Sequence, residues 1–346
     1  MTEWRFWFAE QRGTLLALFL FVLMFVVYLF NHAAIVSNGF TETAVANVVH
    51  TAANDGVLYA FIAMAQTLVV ITAGIDLSVG MICVLANCVG SYVVVGSFGM
   101  ALLGSLLVVL TGVLCGAING LIVIYGRLQP IVTTIATGSV FFGAALWLRP
   151  QPGSADNFNA DIADLVTGQV TLYFSSPDGP YVFVPASLIA LLVVALLVWV
   201  PFRKSPLGRA AYATGSGELA AYMSGVPIAR AKFVAYTLAG LLASIGGLYL
   251  TFVTNSGEAS LANGGTYTLT SIAAVVIGGV SLFGGSGSAI GAIFGALAYT
   301  AVSWLLRAFD IDALWQELFK GVVLLLVVSI GSARLLQIRN RLDMFG

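Results

Sequence analysis

Charge is what this sequence has least of. Only 8% of its 346 residues are Asp, Glu, Lys or Arg, whereas soluble domains carry about a quarter. So little charge is too little to face water all round, which excludes an ordinary soluble domain. No basic run is interleaved with aromatics, and the formal net charge is −1; a nucleic-acid partner is excluded as well. Histidine occurs twice, as His32 and His50, and cysteine three times, as Cys83, Cys88 and Cys115. The cysteines lie in apolar runs without paired ligand spacing, so they read as small buried hydrophobes, and no metal site is expected. No GxxxxGK[ST] pattern occurs, so nucleotide hydrolysis by that route is excluded for this chain. Nor does a nucleophile, base and orienting acid stand together as an enzyme would need.

What the chain has is apolar residue, 60% of the total, with a mean hydropathy of +1.00. Windows long enough to cross a hydrocarbon core of roughly 30 Å recur along almost the whole length. The composition predicts an all-α polytopic membrane protein, a single transmembrane domain over 1–346. Ten crossings are expected, at 14–32, 57–75, 78–97, 101–125, 130–148, 185–202, 230–253, 268–283, 287–307 and 313–331. The second and eighth are short and flanked by Gly-rich turns, so each is expected either to span or to be broken or re-entrant. The start, MTEWRFWFAEQRG, is basic and leads into a long apolar run without a small-residue cleavage site, which reads as a retained first helix.

Lys and Arg sort by side. With a cytoplasmic N-terminus, that side holds Arg5, Arg12, Arg127, Arg203, Lys204, Arg209, Arg230, Lys232, Arg334, Arg339 and Arg341, eleven against Arg149 and Arg307 outside. The asymmetry predicts an even number of crossings with both termini cytoplasmic. Two long loops result. The external one, 149–184, carries Asp156, Asp161, Asp164 and Asp178 and either meets a partner or forms a solvated cap. The cytoplasmic one, 203–229, contains GELAAYMSG, which reads as a short helix: Glu218 suits the first turn, and Gly225 followed by Pro227 ends it. Its apolar residues Leu219, Tyr222, Met223 and Val226 need a protein groove, the membrane interface or the domain's own surface to lie against.

Polar residues inside apolar windows mark a candidate translocation path, because each is costly in hydrocarbon unless it faces protein or water. These are Gln66, Thr67, Asn87, Asn119, Thr133, Thr134, Thr137, Thr268 and Ser271; helix-to-helix hydrogen bonding is the alternative for each. None is charged, which suits a neutral polar solute. Glu317 and Lys320 share a helix face and read as a neutralising pair or as a proton relay. The stretch IGGVSLFGGSGSAIGAIFG, 277–295, lacks the lysine of a phosphate loop and reads as close helix contacts or as a backbone turn within the protein. In ITAGIDLSVG, 71–80, the carboxylate of Asp76 falls in the turn between the second and third windows. There it is expected near the inner interface, capping the third helix at N–H groups close to Val79, as Ser78 also could; Gly80 completes the turn.

Four motifs in order, AQTLVVITAGIDLSVG (65–80), GAINGLIV (116–123), LGRAAYATGSGELAAYMSGV (207–226) and SIAAVVIGGVSLFGGSGSAIGAIFGAL (271–297), resemble the permease subunits of the ribose, xylose, galactose and autoinducer-2 class of bacterial ABC importers. The resemblance covers about residues 40–330. Related branched-chain amino-acid permeases share the layout without the GIDLSVG wording, which favours the sugar branch. Where the signature has a second glycine, ITGGIDLSVG, this chain has Ala73. The resemblance implies an inner-membrane permease that carries a monosaccharide or small polyol. It implies a second permease copy or paralogue, cytoplasmic ATP-binding subunits holding ATP and Mg, a periplasmic solute-binding protein and surrounding lipid, with no cofactor on this chain. It assigns Gly208, Arg209, Tyr212, Gly215, Glu218, Ala220 and Gly225 to the region that couples to the ATPase. Two rival classes remain: an ion-coupled secondary transporter using Asp76 or Glu317, and a membrane scaffold or receptor with 203–229 as its docking arm.

Overall fold

A computed structural model describes residues 3–35, 42–173, 181–312, 315–316, 318–323 and 325–326. The chain is helical almost throughout: α1 Glu3–Ile35, α2 Glu42–Val70, α3 Val79–Val93, α4 Phe98–Tyr125, α5 Pro130–Leu148 and α6 Ala160–Thr167. An antiparallel hairpin follows, β1 Gln169–Tyr173 and β2 Tyr181–Pro185, paired from Gln169 with Pro185 to Tyr173 with Tyr181. Then come α7 Ala186–Val194, α8 Val200–Lys204, α9 Pro206–Ser216, α10 Glu218–Met223, α11 Ile228–Thr254, α12 Leu261–Ile277 and α13 Ala289–Ala308. Between α7 and α8 the helix widens into a π turn over Ala195–Trp199. Pro201 stands two residues after it, without the N–H that the Leu197 carbonyl would need.

Among the described residues, seven helical spans are long and apolar enough to cross a membrane: within α1, α2, α4, α5, the α7 to α8 run, α11 and α13. Two expectations about the spans are corrected. The second is neither short nor broken, because α2 runs unbroken for 29 residues. Its first half was illegible in hydropathy because it carries His50, Asn54 and Asp55. The Thr167 carbonyl accepts from His50 and Asn54, and the side chains of Arg307 and Trp304 donate to Asp55, so these polar groups are satisfied within the fold. The third window, taken as a full crossing, is the short one: α3 has 15 residues, about 22 Å at 1.5 Å per residue. The eighth, α12, has 17 residues, begins at Leu261 and ends at Ile277. Of the tenth window, residues 315–316, 318–323 and 325–326 are described and helical; Glu317 and Asp178 lie outside the described residues.

α11 sits at the centre, against α2, α3, α4 and α9, and α13 packs on α1, α2 and α12. Small residues set these approaches. Gly112 and Gly116 of α4 meet Gly240 and Ser244 of α11 with no room for a methyl group between the backbones, the close contact on which helix association in lipid depends. Gly80 of α3 meets the Gly264 carbonyl and Thr268 of α12 just as tightly, and Gly295 of α13 meets the Ala274 carbonyl. The three cysteines are free and buried.

The ends of α2 and α12 and the loop 203–229 lie together at one end of the bundle, which we call the coupling end. At the far end, residues 149–173 of the segment 149–184 are folded: Asn159 caps α6 by accepting from the Ile162 N–H at 3.0 Å. Arg149 donates to the Ser91 hydroxyl and carbonyl at 3.0 and 3.1 Å and stacks over Tyr92.

Candidate functional site

At the coupling end, Ser205 opens α9 by accepting from the Gly208 N–H at 2.9 Å, with Pro206 in the first helical position. Gly208 lies against the Phe202 carbonyl, so α8 and α9 fold sharply onto each other. Arg209 donates to the Lys204 carbonyl at 3.2 Å. α9 buries Gly208, Ala210, Ala211 and Thr214. Extended Gly217 then turns the chain into α10, where Ala221 alone is buried. Leu219, Tyr222 and Met223 are 77%, 71% and 79% exposed, so α10 presents an apolar surface that nothing else in the described structure covers, with Ala220 on the same helix.

The ends of α10 are fixed. Glu218 forms an ion pair with Lys232 of α11 at 2.8 Å. The Val226 N–H donates to the Ala221 carbonyl and the Gly225 N–H to the Tyr222 carbonyl, both at 3.0 Å. This is a Schellman ending, with Gly225 at φ 72° in the left-handed position that favours glycine. A methyl group on Gly225 would touch nothing, so the residue is there for its backbone angle alone.

α9 joins this loop to the bundle. Gly215 lies against the Ile71 carbonyl, and a methyl group on it would also crowd the Gly285 N. The Gly285 N–H donates to that same carbonyl at 3.0 Å, and the Tyr212 hydroxyl donates to the Gly287 carbonyl at 2.6 Å. Three segments distant in sequence, the end of α2, the end of α9 and the turn before α13, thus meet backbone on backbone. The Gly-rich stretch serves in both ways its sequence suggested: Gly279, Gly284, Gly285 and Gly287 have positive φ in the turn, and Gly291 and Gly295 make close helix contacts. Sequence reasoning missed the Ile71 carbonyl, Gly285 and Gly287 as members of this junction. The density of glycines was the available signal, but no local pattern identifies their partner.

Asp76 departs from expectation in its bonding. It is fully buried inside the fold. It is not the N-cap of α3, a place that Ser78 takes; the Ser78 N–H and hydroxyl both donate to Asp76 Oδ1, at 2.8 and 2.6 Å, closing a two-residue side-chain turn. Ser78 occupies the N-cap position of α3 without a side-chain capping bond. Asn119 donates to the Ser78 hydroxyl at 2.7 Å, and the Leu77 N–H donates to Thr134 at 2.9 Å. With its amide turned so that both groups are satisfied, Gln66 donates to the Asp76 carbonyl at 2.9 Å and accepts from the Asp76 N–H at 3.3 Å. Asp76 Oδ2, Asn119 Oδ1 and the Tyr236 hydroxyl are buried without partners; Tyr236 was not foreseen, since it sits in an otherwise ordinary apolar helix.

The residues singled out for a translocation path are all buried. Gln66, Asn119 and Thr134 gather around the Asp76 turn. Thr268 accepts from the Gly80 N–H at 3.1 Å, and Ser271 donates to the Thr268 carbonyl at 2.6 Å. Asn87 stands apart, donating to Thr251 and the Ser256 carbonyl and accepting from the Glu258 N–H. Thr67 and Thr137 donate to carbonyls of their own helices, of Ala63 and Thr133, and the Thr133 hydroxyl has no partner. Among the described residues, no group of three or more His, Cys, Asp or Glu side chains could hold a metal ion.

A polytopic bundle tied by interlocked backbones to an exposed apolar helix has the form of a transport subunit that works with a partner. Residues 48–328 match the family described as branched-chain amino acid transport system, permease component, and the chain belongs to that family. It is 31% identical over 323 residues to the ribose import permease protein of Bacillus subtilis (strain 168), covering 92% of each chain. It is 36% identical over 274 residues to the fructose import permease protein of Rhizobium meliloti, 77% of this chain and 72% of that one. The autoinducer 2 import system permease protein LsrD of Salmonella paratyphi B is 27% identical over 288 residues, 82% of this chain and 83% of the relative. No solved structure matches the chain.

Proposed function

We propose that this chain is the membrane-spanning permease subunit of an ATP-binding cassette importer for a monosaccharide or related small polyol. ATP and Mg are held by separate cytoplasmic subunits, and a periplasmic binding protein delivers the solute to a pair of permeases, two copies or this chain with a paralogue. The observation that carries the reading is α10: an apolar helix exposed at three large side chains, pinned at both ends and joined through α9 to the end of α2. A groove on the ATP-binding subunit covers that face. The GIDLSVG wording and the ribose, fructose and autoinducer 2 import relatives support the sugar branch.

The Lys and Arg distribution supports a cytoplasmic coupling end, in a bacterial inner membrane, with both termini on that side. When nucleotide closes the ATP-binding subunits, α10 is displaced with them. Close-packed backbones transmit a shift with little slack, so the motion reaches α2, the Asp76 turn and α13, and re-aims the spans between outward and inward access.

Uptake into vesicles tests this. Sugar accumulation that requires ATP and the cognate ATP-binding subunit is expected. Accumulation that persists undiminished without that subunit, on an ion gradient alone, overturns the reading in favour of a secondary transporter.

A further inference from the structure

At the far end of the bundle a cavity of about 300 Å³ opens between α2, α11 and α13. Its depth follows from the helices. Asp55 lies 15 residues before the end of α2, Tyr249 lies 21 after the start of α11 and Arg307 lies 18 after the start of α13, so its walls stand roughly 22 to 32 Å from the coupling end. The volume is that of about ten water molecules and falls at the small end of the range for small-molecule sites.

The lining is of mixed chemistry. Asp55 accepts from Trp304 Nε1 at 3.3 Å and from Arg307 at 2.9 Å, both on Oδ2, which leaves Oδ1 to accept from a ligand. The pair is solvent-accessible, with side chains 37% and 54% exposed. Ser303 adds a hydroxyl one turn of α13 before Arg307, and Tyr59 and Tyr249 supply aromatic surface. The Tyr249 ring is held in place, because its hydroxyl donates to the Asn54 carbonyl and Oδ1 at 3.2 and 3.1 Å. Lys320 lines the same space. Because Arg307 already meets the charge of Asp55, their part of the wall offers hydrogen bonds more than an uncompensated charge. A carboxylate oxygen, guanidinium N–H groups and a hydroxyl beside aromatic rings match a small ligand that is hydroxylated on its edges and carries C–H on its faces.

We propose that this cavity is a binding subsite, within one permease, for a neutral monosaccharide or polyol on its way from the binding protein to the path. The proposal rests on the importer reading for its place in transport, but the binding itself does not. The substitution Ser303→Leu fills the cavity without touching the Asp55 and Arg307 pair, and Asp55→Asn removes the carboxylate; co-purification with the ATP-binding subunit checks that each variant assembles. Saturation-transfer NMR of the purified complex with D-ribose, D-fructose and erythritol in turn is expected to show contact with at least one probe, lost in Ser303→Leu. ATP-driven uptake of that probe is expected to fall about tenfold, as one lost charge-assisted hydrogen bond would produce. Probe contact and uptake equal to wild type in both assembled variants overturn the subsite and leave the importer reading standing. Probe contact that depends on Ser303, in a wild type without ATP-driven uptake, upholds the subsite and removes the importer reading. Displacement of the probe by equimolar inorganic phosphate marks an anion site and overturns the neutral-ligand assignment.

Discussion

Tyr212, in the middle of α9, donates its hydroxyl to the Gly287 carbonyl at 2.6 Å, and this bond pins the loop 203–229 to the turn from which α13 starts. The carbonyl has few other ways to be satisfied, because the turn at Gly284, Gly285 and Gly287 is bent into left-handed backbone. Replacing Tyr212 by Phe removes the donor and keeps the ring. A stability loss of about 1 kcal/mol is expected, with a larger proportional loss in uptake than in ATP hydrolysis, because the joint slackens while the docking face remains. Parallel uptake and hydrolysis assays check it, and an equal fall in both would show that Tyr212 does not serve coupling.

Gly215 and Gly225 lie at either end of the same loop and answer to different constraints. A methyl group on Gly215 would overlap the Ile71 carbonyl, so Gly215→Ala forces the end of α2 away from α9. A cost of about 1 to 3 kcal/mol is expected from overpacking. Gly225→Ala meets no atom and pays only for φ 72°, about 1 kcal/mol. Thermal unfolding in detergent should rank Gly215→Ala as the more damaging, and the reverse order would show that the α2 to α9 contact is loose.

Ala73 stands at φ 62°, just past the end of α2, where the Gly74 N–H donates to the Val69 carbonyl at 3.3 Å and the Ala73 N–H to the Val70 carbonyl at 2.9 Å. That is the left-handed position of a Schellman ending, and glycine fits it without strain. Ala73→Gly is therefore expected to stabilise the chain by up to about 1 kcal/mol, on the order of 2 °C in Tm. A lower Tm would show that the packing of the Ala73 methyl outweighs its backbone strain.

Much of this architecture was legible in the sequence because hydropathy reports lipid-facing surface, and the spans of α1, α4, α5 and α11 carry it. α10 was legible from its stop signals and from apolar side chains in a polar loop. What the sequence hid was tertiary. The first half of α2 reads as polar because Asn54 and Asp55 find partners on segments more than 100 residues away. The start of α12 reads as a loop because Gly264 and Gly265 lower its helical signal, yet Gly264 is the residue that lets α3 approach. The hairpin was passed over although QVTLY and YVFVP, on either side of a turn-rich SSPDG, carry a β signal. The burial of Asp76 depends on α2, α4 and α5 closing over its turn with Gln66, Asn119 and Thr134, and no local pattern states it.

The face of α10 gives a test of docking that leaves the fold alone. Tyr222 is 71% exposed, so Tyr222→Asp removes no core contact and a stability change within about 0.5 kcal/mol is expected. Placed against an apolar groove, the same carboxylate would lose its water without gaining a partner. Co-purification with the ATP-binding subunit should then be lost while Tm holds. Full co-purification of Tyr222→Asp would place the ATPase contact elsewhere on the chain.

Asp76 supplies the sharpest discrimination between a turn-forming side chain and an ion site. Its Oδ1 satisfies the Ser78 N–H and hydroxyl, and its Oδ2 is buried near an unpartnered Asn119 Oδ1 and Tyr236 hydroxyl. Asp76→Asn keeps an acceptor for Ser78 and sheds a buried charge, while the new amide N–H groups enter a cluster that holds two oxygens without donors. Asp76→Ala keeps nothing: the Ser78 N–H is orphaned inside the bundle, at a cost of about 1 to 3 kcal/mol. Unfolding measurements should therefore place Asp76→Asn at or above the native Tm and Asp76→Ala well below it, and ATP-driven uptake should follow the same order. If Asp76→Asn unfolds as early as Asp76→Ala, or abolishes uptake while leaving Tm unchanged, the negative charge itself is what the protein needs, and the carboxylate acts on an ion or proton rather than on its own backbone.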